Sequence, residues 1–254
     1  MRFLTTYIIK NGYHLVNHTL GGFKMIQFTA EQTPAEIVKM FPKASDLFKQ
    51  RKINFCCSGN RPLTDVFIEN SLDGATMLTE LNIAYEEWKN KGNTHTDWDT
   101  LSLTELIDYI TVKYHDPMEQ ELIFLDAYVT RVFKVHGGDS PHLKELHRIY
   151  NLFQAGLTEH MIKESNEVFP LIKEYELKPS ENLLTEIHKA NGTLEDEHEM
   201  IVKLLKEIRE VTNDFTPPQG ACNTYQMTYA RLADLESETY DHIHLENNIL
   251  FGKL

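Results

Sequence analysis

His160-Met161-Ile162-Lys163-Glu164 sets a histidine and a glutamate four residues apart, and Asp241-His242-Ile243-His244-Leu245-Glu246 repeats the arrangement near the end of the chain. On a helix that spacing puts both side chains on one face. Each pair lies in a long segment with helical periodicity and no strand-like alternation. Four such segments, residues 99–135, 141–177, 181–215 and 221–251, match one another in length. The breakers between them are His136-Gly137-Gly138-Asp139-Ser140-Pro141, Lys178-Pro179-Ser180 and Thr216-Pro217-Pro218-Gln219-Gly220. Equal lengths and short connections predict an all-α, up-down-up-down four-helix bundle. Asn191-Gly192 predicts an irregularity in the third helix.

Each segment carries a histidine near its middle: His115, His160, His198 and His242. Antiparallel neighbours bring their midpoints to one level, so these histidines converge with Glu164 and Glu246. Four imidazoles and two carboxylates suit two divalent metal ions, with the glutamates as bridges and coordination positions left open for a small ligand. A single helical histidine is usually a surface or satisfied core residue, and one His-x-x-x-Glu pair is a weak signal. The joint occurrence carries the argument, because such a cluster buried without metal would be costly to desolvate. Helical position turns His244 outward, away from His242. His95, His142, His147 and His188 read as surface residues, and His136 lies too far along its segment to join the site. Glu195, Glu197 and Asp241 stand beside ligands and are candidates to orient them.

Upstream, residues 25–90 read as a small helical module. Thr33-Pro34 is an N-cap followed by proline, 42–48 has helical periodicity, and Pro62 and residues 75–88 suggest two more helices around a turn at Cys56-Cys57-Ser58-Gly59-Asn60. Asn90-Lys91-Gly92-Asn93-Thr94 is the linker, and the bundle domain spans 95–254. Gly21-Gly22-Phe23-Lys24-Met25 reads as a translated ribosome-binding site, so residues 1–24 are expected to be a mis-assigned upstream extension and Met25 the start.

The net charge of −13 argues against non-specific binding to nucleic acid or anionic lipid. Three cysteines, two adjacent, make no disulfide framework and point to a reducing compartment. No apolar run approaches the roughly 20 residues of a membrane span.

Phe55-Cys56-Cys57, His115, His160–Glu164, Glu197-His198, the stretch from Asp241 to Asn248, the Thr-Pro-Pro loop and Ala221-Cys222-Asn223-Thr224 together resemble the repair-of-iron-centres proteins of the ScdA and YtfE type. The resemblance implies an ScdA-type N-terminal domain and a haemerythrin-like bundle with two non-haem irons per chain, oxo- and carboxylate-bridged. It further implies a cytoplasmic homodimer that restores iron–sulfur proteins after oxidative or nitrosative damage. Small ligands such as nitric oxide or oxygen would reach the centre, which would act as a repair factor or iron donor more than as a turnover enzyme.

The family pattern has two glycines after the cysteine pair where this chain has Ser58-Gly59, which puts the turn's geometry in question. Adjacent Cα atoms are about 3.8 Å apart, so a Cys56–Cys57 disulfide would be strained. The pair could hold iron, take up nitric oxide, bridge to another chain, or be two buried structural thiols. Cys222 reads as structural. The main alternative is a haemerythrin-like protein that binds or senses oxygen or nitric oxide. A ferritin-like oxidase would need Glu-x-x-His on two helices, and only Glu195-x-x-His198 fits; metal identity would separate a zinc or manganese interaction module.

Overall fold

Thr33 begins the first helix with a capping box: its Oγ1 accepts the Glu36 N–H at 3.2 Å, and the Glu36 carboxylate accepts the Thr33 N–H at 2.9 Å. Pro34 comes next, at the first helical position, where its missing N–H costs nothing. The structure is a computed structural model and describes residues 28–254. The expected extension over residues 1–24 and the start at Met25 lie outside the described residues.

Four helices build the upstream module: α1 (Pro34–Met40), α2 (Ala44–Gln50), α3 (Leu63–Glu69) and α4 (Gly74–Asn90), the last capped by Asp73. Phe28, Phe41 and Tyr85 pack ring on ring inside it, with centroids 5.0 to 6.3 Å apart. Between α2 and α3 the Asn54 Oδ1 accepts the N–H groups of Cys56 and Cys57, both at 3.1 Å, and shapes the cysteine turn. Ser58 has no positive φ, so serine fits where the family has glycine. Gly59 is the position that needs glycine, since a Cβ there would meet the Phe55 carbonyl oxygen at 2.2 Å.

The remaining chain forms four antiparallel rods. The first runs through α5 (Leu103–Ile110) and α6 (Asp116–His136), the second through α7 (His142–Lys163) and α8 (Phe169–Leu177). The third is α9 (Glu181–Val211), and the fourth is α10 (Asn223–Leu245) with a closing 3₁₀ turn. The irregularity expected at Asn191-Gly192 does not occur: α9 passes through unbroken, and Asn191 Nδ2 donates to Glu195 at 2.9 Å. The irregularities lie elsewhere, in π-helical turns at Thr111–His115, Glu164–Val168 and Glu246–Leu250. Pro117 and Pro170 explain the first two. A proline ring clashes with the carbonyl four residues back, here Lys113 and Asn166, and a widened turn relieves the clash.

Apolar side chains fill the bundle in two separate clusters. One joins the upstream module to Met118, Leu122, Phe153, Leu157, Val202, Leu205 and Leu235. The other gathers Leu106, Ile110, Phe169, Ile172, Leu194 and Ile249 at the opposite end. On every rod the metal-ligand candidates fall between the two. His142 and His147 are half-buried and not surface residues: His142 Nε2 lies 3.0 Å from the Tyr225 hydroxyl, and His147 Nε2 lies 3.1 Å from Thr130 Oγ1. No helix among the described residues is long and apolar enough to cross a membrane.

Candidate metal centre

The three π turns carry His115 as the last residue of the first, and Glu164 and Glu246 as the first residues of the others. A widened turn re-aims its side chains relative to a straight helix, and these three point into the layer between the apolar clusters. There they meet His160, His198 and His242, so the structure brings together all six residues singled out from spacing. Every one is buried, and Glu164, His198, His242 and Glu246 are sealed from solvent altogether.

The donor atoms fall into two sets of four: His115, Glu164, His242 and Glu246, and His160, Glu164, His198 and Glu246. Both carboxylates belong to both sets. His115 Nε2 lies 2.9 Å from His242 Nε2, and His160 Nε2 lies 2.9 Å from His198 Nε2. Glu164 Oε2 sits 3.4 Å from His115 Nε2 and 3.3 Å from His160 Nε2, while Glu246 reaches His242 at 2.6 Å and His198 at 3.1 Å.

This arrangement fits metal cations and is poorly satisfied by protein alone. Neither oxygen of the buried Glu164 carboxylate accepts a hydrogen bond. Burial and then the facing Glu246 charge hold the Glu164 carboxyl well above the usual range. Burial would likewise raise Glu246, but the imidazoles around it, His242 first, hold it low. Burial would lower His160, yet Glu164, Glu197 and Glu246 outweigh that and hold it at about 10. Burial prevails at His242, pushed down to about 4. A cation between the imidazoles and carboxylates replaces these conflicts with ligand bonds.

Outer contacts fix two imidazoles. His160 Nδ1 donates to Glu197 Oε2 at 3.0 Å, and His198 Nδ1 donates to Asn247 Oδ1 at 3.0 Å, so each ring turns its Nε2 lone pair inward. Glu197 therefore orients His160 across the helix interface and not its neighbour His198. Lys163 Nζ braces Glu197 at 2.6 Å, and these bonds hold the Glu197 carboxyl down at about 2. Glu195 is exposed and reaches neither ring, and Asp241 makes no bond to His242. Sequence reasoning missed Asn247, whose only signal was its place beside Glu246.

His244 is the clearest correction. It is 3% exposed, its ring packs on Phe55 with centroids 5.9 Å apart, and burial pushes its imidazole down to about 4. The face it occupies is outward only for the isolated helix; the upstream module covers it. Cys56 is buried and Cys57 half-buried, with free thiols 3.5 Å apart and outside both donor sets. Burial, then the neighbouring Cys57 thiol, pushes Cys56 well up. The Cys56 carbonyl accepts from Asn248 Nδ2 at 2.9 Å.

The profile of the haemerythrin HHE cation-binding domain matches residues 106–254, and that of a domain of unknown function, the ScdA N-terminal type, matches residues 30–85. The chain is similar to the iron–sulfur cluster repair protein ScdA of Staphylococcus haemolyticus, 35% identical over 89% of this chain and 98% of that one. It is 32% identical to the iron–sulfur cluster repair protein YtfE of Escherichia coli O8, over 88% of this chain and 96% of that one. With both profiles in order along one chain and relatives matched over nearly their whole lengths, the chain belongs to the haemerythrin HHE family, in its ScdA and YtfE iron–sulfur cluster repair group.

Proposed function

We propose that this protein holds two iron ions per chain and repairs iron–sulfur clusters damaged by oxidative or nitrosative stress. The observation that carries this reading is the pair of four-donor sets sharing both Glu164 and Glu246. In it His115 and His242 are terminal ligands of one ion, His160 and His198 of the other, and the two glutamates bridge. Bound iron supplies redox chemistry and open positions for a small ligand such as nitric oxide or oxygen.

The chain's own residues prepare that site. Glu197 and Asn247 hold the Nδ1 protons of His160 and His198, which fixes the tautomer each ring must have to ligate. The apolar clusters above and below keep bulk water out and strengthen every electrostatic contact inside. Cys56 and Cys57, on the module packed against the last helix, are the candidates to exchange iron or nitrosyl groups with a damaged partner. The two domains are residues 25–90 and 95–254, and the working form is a cytoplasmic homodimer. Oxygen carriage alone is not favoured, because the relatives named for repair match through both the cysteine-bearing module and the bundle.

The test is metal content and an absorption spectrum on protein purified without added metal, then reactivation of a cluster enzyme damaged by nitric oxide. About two irons per chain with oxo-bridge bands, and reactivation that depends on them, is the expected result. Zinc, or no metal, would overturn it.

A further inference from the structure

Three consecutive residues of the π turn Glu246–Leu250 face three different partners. Glu246 stands in both donor sets, Asn247 accepts from His198 Nδ1 at 3.0 Å, and Asn248 donates to the Cys56 carbonyl at 2.9 Å. Asn247 also turns its amide nitrogen toward that carbonyl, at 3.4 Å. No backbone N–H among the described residues reaches the Cys56 oxygen, so these two side-chain amides are its hydrogen-bond partners. On its other side the cysteine turn is held by Asn54 Oδ1, which accepts from the N–H groups of Cys56 and Cys57. The thiol turn is thus fastened to the ligand-bearing helix through the Cys56 carbonyl, by residues adjacent in sequence to a ligand, and the preceding Phe55 carbonyl faces His244 Nδ1 of the same helix at 3.4 Å.

We infer that this turn couples the two sites: metal in the bundle sets the reactivity of Cys56 and Cys57, with Asn247 and Asn248 as the positioning residues. Metal bound to Glu246 and His198 fixes the start of the π turn and the ring against which Asn247 rests. Asn248 then stands where it satisfies the Cys56 carbonyl, and the buried thiol stays closed against the bundle. Without metal, Glu164 and Glu246 face each other across mispaired imidazoles, the turn loses its anchor, and the cysteine loop opens more often. Coupling of this kind is reciprocal for equilibria, so a change at the thiols alters metal affinity as well. The inference rests on the metal reading of the His/Glu cluster and extends it to the thiols.

The experiment uses the full chain with Cys222→Ser, so that Cys56 and Cys57 are the thiols read out by iodoacetamide labelling and mass spectrometry. Metal content is measured on every sample. We expect metal-loaded protein to label about fivefold or more slowly than metal-stripped protein, the lower end of ordinary site-to-site coupling. Protein alkylated at both thiols should lose iron to a chelator at a different free-chelator concentration. Asn248→Asp removes the donor to Cys56 without reducing side-chain size. Asn247→Asp keeps the acceptor for His198 but loses the amide nitrogen. With iron retained, Asn248→Asp should bring the labelling ratio close to one and Asn247→Asp should reduce it. Iron present with equal labelling rates in both states, or a ratio unchanged in both variants, would overturn the coupling while leaving the metal site standing. A chain that takes up no metal would overturn both.

Discussion

His160 Nδ1 lies 3.0 Å from Glu197 Oε2, and this contact joins the second rod of the bundle to the third at the level of the donor sets. It gives the imidazole one defined tautomer, and Lys163 at 2.6 Å keeps the carboxylate ionised and in place. Loss of such an outer contact costs roughly 10- to 100-fold in metal affinity in known sites. We therefore expect Glu197→Ala to weaken iron retention by about that factor in chelator competition, with helix content unchanged. Full retention would show that His160 is oriented by packing alone.

Glu164 separates the cost of the site from its use. Its carboxyl is buried with no hydrogen-bond partner in the protein. A buried polar group without a hydrogen-bond partner costs about 1 to 3 kcal/mol, and an apolar side chain of similar size in its place removes that cost. Glu164→Leu is expected to raise the unfolding midpoint of the stripped protein and to lose much of the bound iron, and Glu246→Leu to lose iron likewise. Calorimetry with metal analysis reads both. A variant that keeps its iron would remove Glu164 from the ligand set.

The convergence of the six histidine and glutamate side chains was legible because the i, i+4 pairs and the mid-segment histidines are features of single helices and of segment length. What escaped depends on neighbours. A helical wheel drawn for the last segment turns His244 outward, and only the arrival of Phe55 from the upstream module makes that face interior. Asn247 could not be read because its reach to His198 crosses between helices from within a widened turn. Pro117 and Pro170 were visible as residues, but smooth helical periodicity concealed that each would push a π turn into the chain beside a ligand. Asn191-Gly192 misled in the opposite sense: a local propensity cost of about 1 kcal/mol for glycine is small against the packing of the long helix α9.

A pH-dependent contribution comes from Glu176, far from the donor sets. Its carboxylate accepts the Leu103 and Thr104 N–H groups at 2.6 and 3.0 Å, capping α5 from the end of α8. The hydrogen bond from the Thr104 hydroxyl, then those from the two backbone groups, outweigh burial and lower its pKa. A depressed carboxyl stabilises the fold above the unfolded value of about 4.5, and that contribution is lost as pH falls through the lower folded value. Glu176→Gln should cost about 1 kcal/mol at pH 7. The difference from the parent should shrink below about pH 4.5. Denaturant midpoints across that range decide it, and a difference independent of pH would assign the role to shape instead of charge.

Gly59 tests whether the thiol turn is built to one geometry. A methyl group there would meet the Phe55 carbonyl carbon at 2.6 Å as well as its oxygen, both backbone atoms that cannot swing aside. Phe55 is itself fixed by its ring's contacts with Phe48, Tyr240 and His244. The added atom must therefore push the loop, with the Ala35 N–H bond to the Gly59 carbonyl at 3.0 Å, away from the bundle. Forced overpacking of this kind costs about 1 to 3 kcal/mol. We expect Gly59→Ala to lower the unfolding midpoint accordingly and to speed alkylation of Cys56. Ser58→Gly, at a position with no positive φ, should do neither, and equal effects from the two substitutions would mean that chain flexibility, not the close approach at Phe55, governs the turn.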